Sequence, residues 1–174
     1  NDGWPHIVAP RYDWTLGDAV KGILGQPHHS QTCSLYRNLR CKGFEDVTKE
    51  VGLDGVYVTM GSNFGDFDND GYLDFYLGTG SPSLDMLVPN RMFKNVGGKR
   101  FAEITGTSRT GHLQKGHAVA CGDWDRDGNV DIFIEMGGAI NGDSYHNVLF
   151  QNPGQATNWL PVKLAGKTTN GATL

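Results

Sequence analysis

Residues 65–74 read Gly-Asp-Phe-Asp-Asn-Asp-Gly-Tyr-Leu-Asp, and residues 122–131, which begin 57 positions later, read Gly-Asp-Trp-Asp-Arg-Asp-Gly-Asn-Val-Asp. Counting from Asp66 or Asp123, aspartate stands at positions 1, 3, 5 and 9 of a nine-residue loop, and glycine stands at position 6. A shared pattern of this length at a fixed distance indicates that the chain is built from repeated units.

Two further motifs have the same period. Leu-Tyr-Arg-Asn at 35–38, Met-Phe-Lys-Asn at 92–95 and Leu-Phe-Gln-Asn at 149–152 follow one another at intervals of 57 residues. Phe-Glu-Asp-Val-Thr at 44–48 corresponds in the same way to Phe-Ala-Glu-Ile-Thr at 101–105. Three motifs with one period predict about three structural units of 57 residues.

The start of the chain is read as the remnant of a first unit. Asn-Asp-Gly-Trp at 1–4 corresponds to 69–72, but the offset here is 68, so this unit is 11 residues longer. We place the additional residues in a longer loop within 17–31. His6 stands at the ninth loop position, so we expect no third intact cation site.

Each unit is predicted to contain four short strands. In the second unit we place them at 56–64, 73–77, 91–95 and 100–105, with Gly97-Gly98 as a hairpin turn between the last two. The 25 glycines spread along the chain favour short strands with tight turns.

Apolar residues alternate around the first aspartate loop, at Phe67, Leu73, Phe75 and Leu77. This alternation predicts strands with one face in the core and one toward water, and we find no helical period. The predicted fold class is therefore all-β. Antiparallel four-stranded units in series are typical of β-propeller blades, and about three of them make only a partial propeller.

The charge of the chain is concentrated in the two loops. The net charge is −4 and there are 19 acidic residues, of which eight lie in the loops. One dication in each loop would bring the net charge to zero. No basic stripe predicts nucleic-acid binding, and no apolar stretch predicts a transmembrane segment.

The loops offer oxygen ligands in the order of an EF-hand loop, without its glutamate at position 12. The predicted ligands are the side chains of Asp66, Asp68, Asp70 and Asp74 with the carbonyl of Tyr72, and those of Asp123, Asp125, Asp127 and Asp131 with the carbonyl of Asn129. Clustered carboxylates repel one another unless a cation lies between them. A flexible set of oxygens favours Ca²⁺ over Mg²⁺, so we predict two calcium sites. The alternative is a pair of Asp-Gly turns on a polar edge.

The cysteines leave two readings open. Cys33 and Cys41 flank a short apolar segment and could form a disulfide in an oxidising compartment, or remain two thiols. Cys121 lies in an apolar run and is predicted to be a buried, inert thiol.

Residues 60–74, Met-Gly-Ser-Asn-Phe-Gly-Asp-Phe-Asp-Asn-Asp-Gly-Tyr-Leu-Asp, resemble a full signature of the FG-GAP/VCBS repeat family, which forms the blades of integrin-α-like propellers. The resemblance covers 1–152. Residues 153–174 contain Asn-Trp-Leu-Pro-Val-Lys-Leu-Ala-Gly at 158–166 and resemble the opening of an ASPIC/UnbV domain. The alternative for this tail is another strand of the last blade.

The resemblance implies a non-catalytic, extracytoplasmic module in which calcium links blades. The rim would serve in adhesion, bind a protein partner or join a larger assembly. Because both ends stop inside motifs, we expect the chain to be a piece of a longer protein. The alternative function is the scaffold of a secreted polysaccharide lyase or hydrolase. Separately, Trp4, Tyr12, Trp14 and Tyr145 could form a contact surface for a saccharide or a protein. We expect these aromatics to pack between blades instead. The six histidines show no ligand spacing.

Overall fold

The computed structural model describes residues 2–12, 15–40, 42–84 and 87–154. These residues form ten short strands and two helices. In chain order the elements are β1 Ile7–Ala9, α1 Leu16–Ile23, β2 Ser34–Asn38, β3 Phe44–Asp46, β4 Thr59–Gly65, β5 Asp74–Thr79, β6 Arg91–Val96, β7 Arg100–Glu103, α2 Thr105–Ser108, β8 Gly116–Gly122, β9 Asp131–Met136 and β10 Val148–Phe150.

The strands form three small antiparallel sheets, one in each predicted unit. The first sheet has the order β1-β2-β3, the second β4-β5-β6-β7 and the third β10-β9-β8. All four strands predicted for the second unit are present. Its first strand begins at Thr59 instead of 56, because Val58 has a φ of 51° and interrupts the extended backbone. Gly97 and Gly98 have φ of 62° and 72°, as the turn between β6 and β7 requires.

The 57-residue period is also a period of backbone conformation. Strands β8 and β9 lie 57 residues after β4 and β5 at both ends, and each pair has a bulge in the same place near the start of its first strand. Positive φ angles recur at Asn69 and Arg126, and at Gly52 and Arg109. The second and third units therefore repeat in three dimensions.

The three sheets pack in series, with one hydrophobic cluster on each side of the second sheet. The cluster facing the first unit contains Leu35, Val47, Val51, Leu53, Phe75, Leu77 and Phe93. The cluster facing the third unit contains Phe67, Tyr76, Met92, Ile132, Ile134 and Met136. The second sheet is thus covered on both faces.

This packing corrects the prediction of a single buried face. All six residues of β5 are buried, because β5 is an inner strand of the middle sheet and both of its faces carry apolar side chains. Leu73, which we expected in the alternating apolar set, is exposed.

Glycines let the second and third sheets approach backbone to backbone. A Cβ atom at Gly61 would lie 2.2 Å from the carbonyl oxygen of His117, and one at Gly78 would lie 2.5 Å from that of Gly116. A side chain at either position would therefore force the sheets apart.

The expected long loop at 17–31 contains a helix. Thr15 caps α1 by accepting a hydrogen bond from the Asp18 amide at 3.1 Å. The helix buries Ala19 in a small cluster with Val56 and Val58. Leu16, Ala19, Val20 and Ile23 have the spacing of one helical face, so the expectation of no helical period was wrong here. The pattern covers only two turns and includes two glycines.

Several expectations lie outside the described residues. They are the possible disulfide between Cys41 and Cys33, the position of Trp14 and nearly all of the ASPIC/UnbV-like tail, since 155–174 are not described. Cys33 is buried, and burial raises the pKa of its thiol to about 11. Cys121 is only half-buried, and burial raises its pKa to about 11 as well.

Among the described helices, none combines the length and hydrophobicity needed to span a bilayer.

Candidate metal centres

Each aspartate loop connects the first and second strands of its sheet. The loop at 66–74 runs from the end of β4 to the first residue of β5, and the loop at 123–131 does the same between β8 and β9. Gly71 and Gly128, at the sixth position, have φ of 85° and 89°. Glycine is favoured there because other residues adopt this conformation only with strain.

The first aspartate of each loop holds the turn together. Asp66 accepts hydrogen bonds from the amides of Asp70 at 3.0 Å and Gly71 at 2.8 Å, one on each carboxylate oxygen. Asp123 accepts both equivalent bonds at 3.0 Å. These bonds satisfy the inward-pointing amides of the loop.

The ninth aspartate joins the loop to the sheet. Asp74 is buried and accepts a hydrogen bond from the Phe67 amide at 3.1 Å and another from the Asn95 amide of β6 at 2.7 Å. Asp131 is buried and accepts the two equivalent bonds at 2.8 Å. One carboxylate thereby fixes the loop, the second strand and the third strand of its unit.

The asparagine that ends the repeated hairpin motif is a positioning residue that the sequence did not reveal. Asn95 donates its side-chain amide to the Leu73 carbonyl at 3.2 Å and accepts from the Gly98 amide at 2.9 Å. Asn152 makes the same kind of contacts and also donates to the Phe67 carbonyl of the second unit at 2.7 Å. The common period of this motif and the loops is the signal that could have linked them.

Two triads of carboxylates could hold metal ions. Among the described residues, two groups of three or more potential ligands place one ligand atom from each member within 4.8 Å of the others: Asp66, Asp68 and Asp74, and Asp123, Asp125 and Asp131. Their donors are all oxygen. Six of the eight aspartates predicted as ligands are therefore brought together by the fold.

The other predicted ligands lie beside the triads. Asp70 accepts a hydrogen bond from the Tyr72 amide at 2.9 Å, and Asp127 accepts from the Asn129 amide at 2.8 Å. This second bond lowers the pKa of Asp127. Coordination by Asp70 or Asp127, or by the carbonyls of Tyr72 and Asn129, stays a prediction.

One oxygen of the first triad lacks a partner. Asp68 Oδ1 is buried and accepts no hydrogen bond, whereas buried oxygens in folded proteins are usually satisfied. A cation held by the triad would satisfy this oxygen. The donor set and this atom both fit a hard metal ion.

The carboxyl of Asp74 in the first triad has a raised pKa. Burial raises the pKa of its carboxyl to about 6, against the hydrogen bonds from Asn95 and Phe67, and the charges of Asp70 and Asp66 raise it further. A nearby cation would favour the ionised form of Asp74 and lower this pKa.

The two triads differ in the residue that the hairpin motif places beside them. The Lys94 ammonium contacts Asp68 Oδ2 and lies 3.4 Å from Asp70 Oδ2. The equivalent residue in the third unit is Gln151, whose side-chain amide donates to Asp125. This position is the variable one in the hairpin motif, so the sequence pattern gave no signal for it.

The two loops touch each other. Asn69 donates its side-chain amide to the Gly128 carbonyl at 3.3 Å and to Asn129 Oδ1 at 3.1 Å. Together with the bond from Asn152 to Phe67, these contacts join the edges of adjacent units beside the triads.

The remnant at the start of the chain keeps part of the loop geometry. Asp2 accepts a hydrogen bond from the Trp4 amide at 3.0 Å, as Asp70 does from Tyr72. His6 Nδ1 accepts from the Asn38 amide at 3.4 Å, in the place of the ninth aspartate. An imidazole can thus replace that carboxylate as an acceptor, but this remnant has no carboxylate triad among the described residues.

The chain matches no model of a known protein family, and comparison with curated proteins finds none similar to it.

Proposed function

We propose that the chain binds one calcium ion in each aspartate loop and forms part of a β-propeller of the FG-GAP/VCBS type. Its role would be non-catalytic: to bind a protein partner, or to serve as a structural subunit of a larger extracytoplasmic assembly. The observation that carries the proposal is the recurrence of one carboxylate triad at the same place in two adjacent, packed sheets.

Calcium is the ion that the donors favour. The triads offer carboxylate oxygens from flexible loops, and calcium accepts six to eight oxygens with variable geometry. The residues that would hold it are the triad aspartates, with Asp70, Asp127 and the carbonyls of Tyr72 and Asn129 completing the set. The ion would supply positive charge between carboxylates that otherwise repel one another.

Calcium would then stabilise the contact between units. Asp74 and Asp131 each hold two strands of their sheet, and the loops are joined through Asn69 and Asn152. Fixing the triads therefore fixes the edge along which the second and third units meet.

The exposed face of the third unit supports further units beyond the three described sheets. Phe67 and Tyr76 of the second unit are 8% and 0% exposed, because the third unit covers them. Their equivalents 57 residues later, Trp124 and Phe133, are 77% and 42% exposed. A neighbouring unit at this face would bury them, as each blade of a propeller covers the one before it.

The outer face of the first unit supports a neighbour on the opposite side. Ile7 and Phe44 are exposed, and they correspond to Phe75 and Phe101, which pack in the cluster between the first and second units. Large apolar side chains on both outer faces are typical of a repeat array continued at both ends.

An extracytoplasmic location is part of the proposal because of calcium supply. Modules outside the cell commonly bind calcium with dissociation constants of about 0.1–1 mM, which match the free calcium found there.

Thermal unfolding tests the proposal. The melting temperature of the 174-residue chain should rise with calcium concentration, and each loop should contribute about 2.7 kcal/mol of stability at a hundredfold excess over its own dissociation constant. Magnesium at equal concentration should stabilise less. The double variant Asp68→Asn, Asp125→Asn should lose the response to calcium, and equal melting temperatures in calcium and in chelator would contradict the proposal.

A further inference from the structure

We infer that Lys94 makes the loop of the second unit a weaker calcium site than the loop of the third unit, so that the two loops fill in order. The inference rests on the proposed function, because it concerns the affinities of those same two loops. It assigns to Lys94 and Gln151, which are not ligands, the control of relative affinity.

Lys94 places a positive charge on the carboxylates that would receive the ion. Its ammonium contacts one oxygen of Asp68, a member of the triad, and lies 3.4 Å from Asp70. An incoming dication must displace this ammonium or bind beside it, and like charges at this separation repel each other. Lys94 therefore competes with calcium for the same carboxylate groups.

The competing charge is only partly screened by water. The side chains of Lys94 and Asp68 are 34% and 17% exposed, and partly buried charges interact more strongly than those in free solvent. The 34% exposure of Lys94 still leaves its ammonium a path into water when calcium arrives.

The third unit lacks this competitor. Gln151 stands at the equivalent position and donates a hydrogen bond to Asp125 without bringing a charge. Arg126 adds a positive charge to this loop, but it is exposed and no described carboxylate forms an ion pair with it. Its charge is therefore screened by solvent.

The consequence is an order of filling. At low calcium the third-unit loop binds first, while Lys94 holds the carboxylates of the second-unit loop. At higher calcium the ion replaces Lys94. The second-unit loop thus keeps a cation near its carboxylates in both conditions, and its calcium response occurs at a higher concentration.

Calorimetric titration of single-site chains tests this order. Asp125→Asn disables the third-unit site, so only the second-unit site remains. Asp68→Asn disables the second-unit site, so only the third-unit site remains. In the first background, Lys94→Gln should tighten calcium binding about tenfold, the effect expected of removing one charge beside a dication. In the second, Gln151→Lys should weaken it by a similar factor. Lys49→Gln, an exposed lysine of the first unit, controls for net charge and should change affinity less than twofold in the first background.

Calcium binding by the single-site chains and the effect of the exchanges at 94 and 151 are measured separately. If both single-site chains bind calcium and the two exchanges at 94 and 151 change affinity no more than Lys49→Gln, the inference is overturned alone. If neither single-site chain binds calcium, the proposed function fails and the inference with it. Equal dissociation constants for calcium in the Asp125→Asn chain and the Asp68→Asn chain, each without a further substitution, would also overturn the order of filling. Circular dichroism checks that each variant is folded. Lys94→Gln and Gln151→Lys test the effect of this position on calcium affinity independently of each other.

Discussion

Single asparagine side chains tie each aspartate loop to the hairpin that follows it. Asn152 donates to the carbonyls of Val130 and Phe67, and its own backbone amide donates to Asp131. Asp125, in contrast, is exposed and contributes its oxygens to the triad. Neighbouring residues of one site thus serve different ends, one maintaining the fold and the other offering a ligand.

Substitution should separate these two roles. We expect Asn152→Ala to lower the free energy of unfolding by about 1–3 kcal/mol with or without calcium, because part-buried carbonyls lose their donor. Asp125→Asn should change it by less than about 1 kcal/mol without calcium and should lose the stabilisation that calcium gives to the third unit. Urea denaturation in chelator and in calcium measures both effects. Equal metal-free stabilities of Asn152→Ala and the unchanged chain would contradict the positioning role.

At the scale of elements, the inter-unit contact depends on bulged first strands that carry glycine. Strands β4 and β8 both begin with the same bulge, and the β4 backbone at Gly61 passes close to His117 of β8. The contact is between main chains, so it cannot be relieved by a rotamer change.

An alanine scan of these glycines should show the difference between a contact and an open position. We expect Gly61→Ala to destabilise the fold by about 1–3 kcal/mol or more, since the added methyl meets backbone. Gly122→Ala on β8, where a Cβ would meet nothing within 4 Å, should change stability by less than about 0.5 kcal/mol. The midpoint of urea denaturation checks both variants. Similar midpoints would show that the sheets can separate without cost.

At the scale of the whole molecule, the chain is a series of sheets in which the middle one is covered on both faces. The two end sheets each present an outward apolar face, represented by Ile7 in the first unit and Phe133 in the third. Stability is therefore concentrated at the two internal contacts, as in other repeat arrays where each unit packs only against its neighbours.

Equivalent aromatic residues in the second and third units should differ in their contribution. We expect Tyr76→Ala to cost about 3–5 kcal/mol, because the side chain is fully buried between two sheets and its loss leaves a cavity. Phe133→Ala should cost about 1 kcal/mol or less in the isolated chain, since much of that ring already faces water.

Tyr76→Ala and Phe133→Ala together also test whether a further unit packs against the third unit. If a further unit packs on this face in a longer protein, Phe133→Ala should become as costly there as Tyr76→Ala. Chemical denaturation of the 174-residue chain and of the longer form measures this. An unchanged, small cost for Phe133→Ala in the longer form would argue against a unit at that face.

The sequence by itself determined the repeat and the backbone of each loop. The spacing of Asp66, Asp68 and Asp74 and the glycine at 71 are local properties, since a nine-residue turn is specified by the hydrogen bonds its own residues make. The strands of the second unit followed from turns and apolar patterning for the same reason. The helix at Leu16–Ile23 was missed because its short pattern is stabilised by packing of Ala19 against residues distant in sequence.

Only the tertiary structure decided which residues surround the loops and which faces are covered. Lys94 reaches Asp68 across 26 positions of the chain, and Asn152 reaches Phe67 across 85. Tyr76 is buried and Phe133 exposed although the two occupy the same place in their repeats. Burial and charge pairing depend on what packs from elsewhere in the molecule, and a local pattern contains no information about that neighbour.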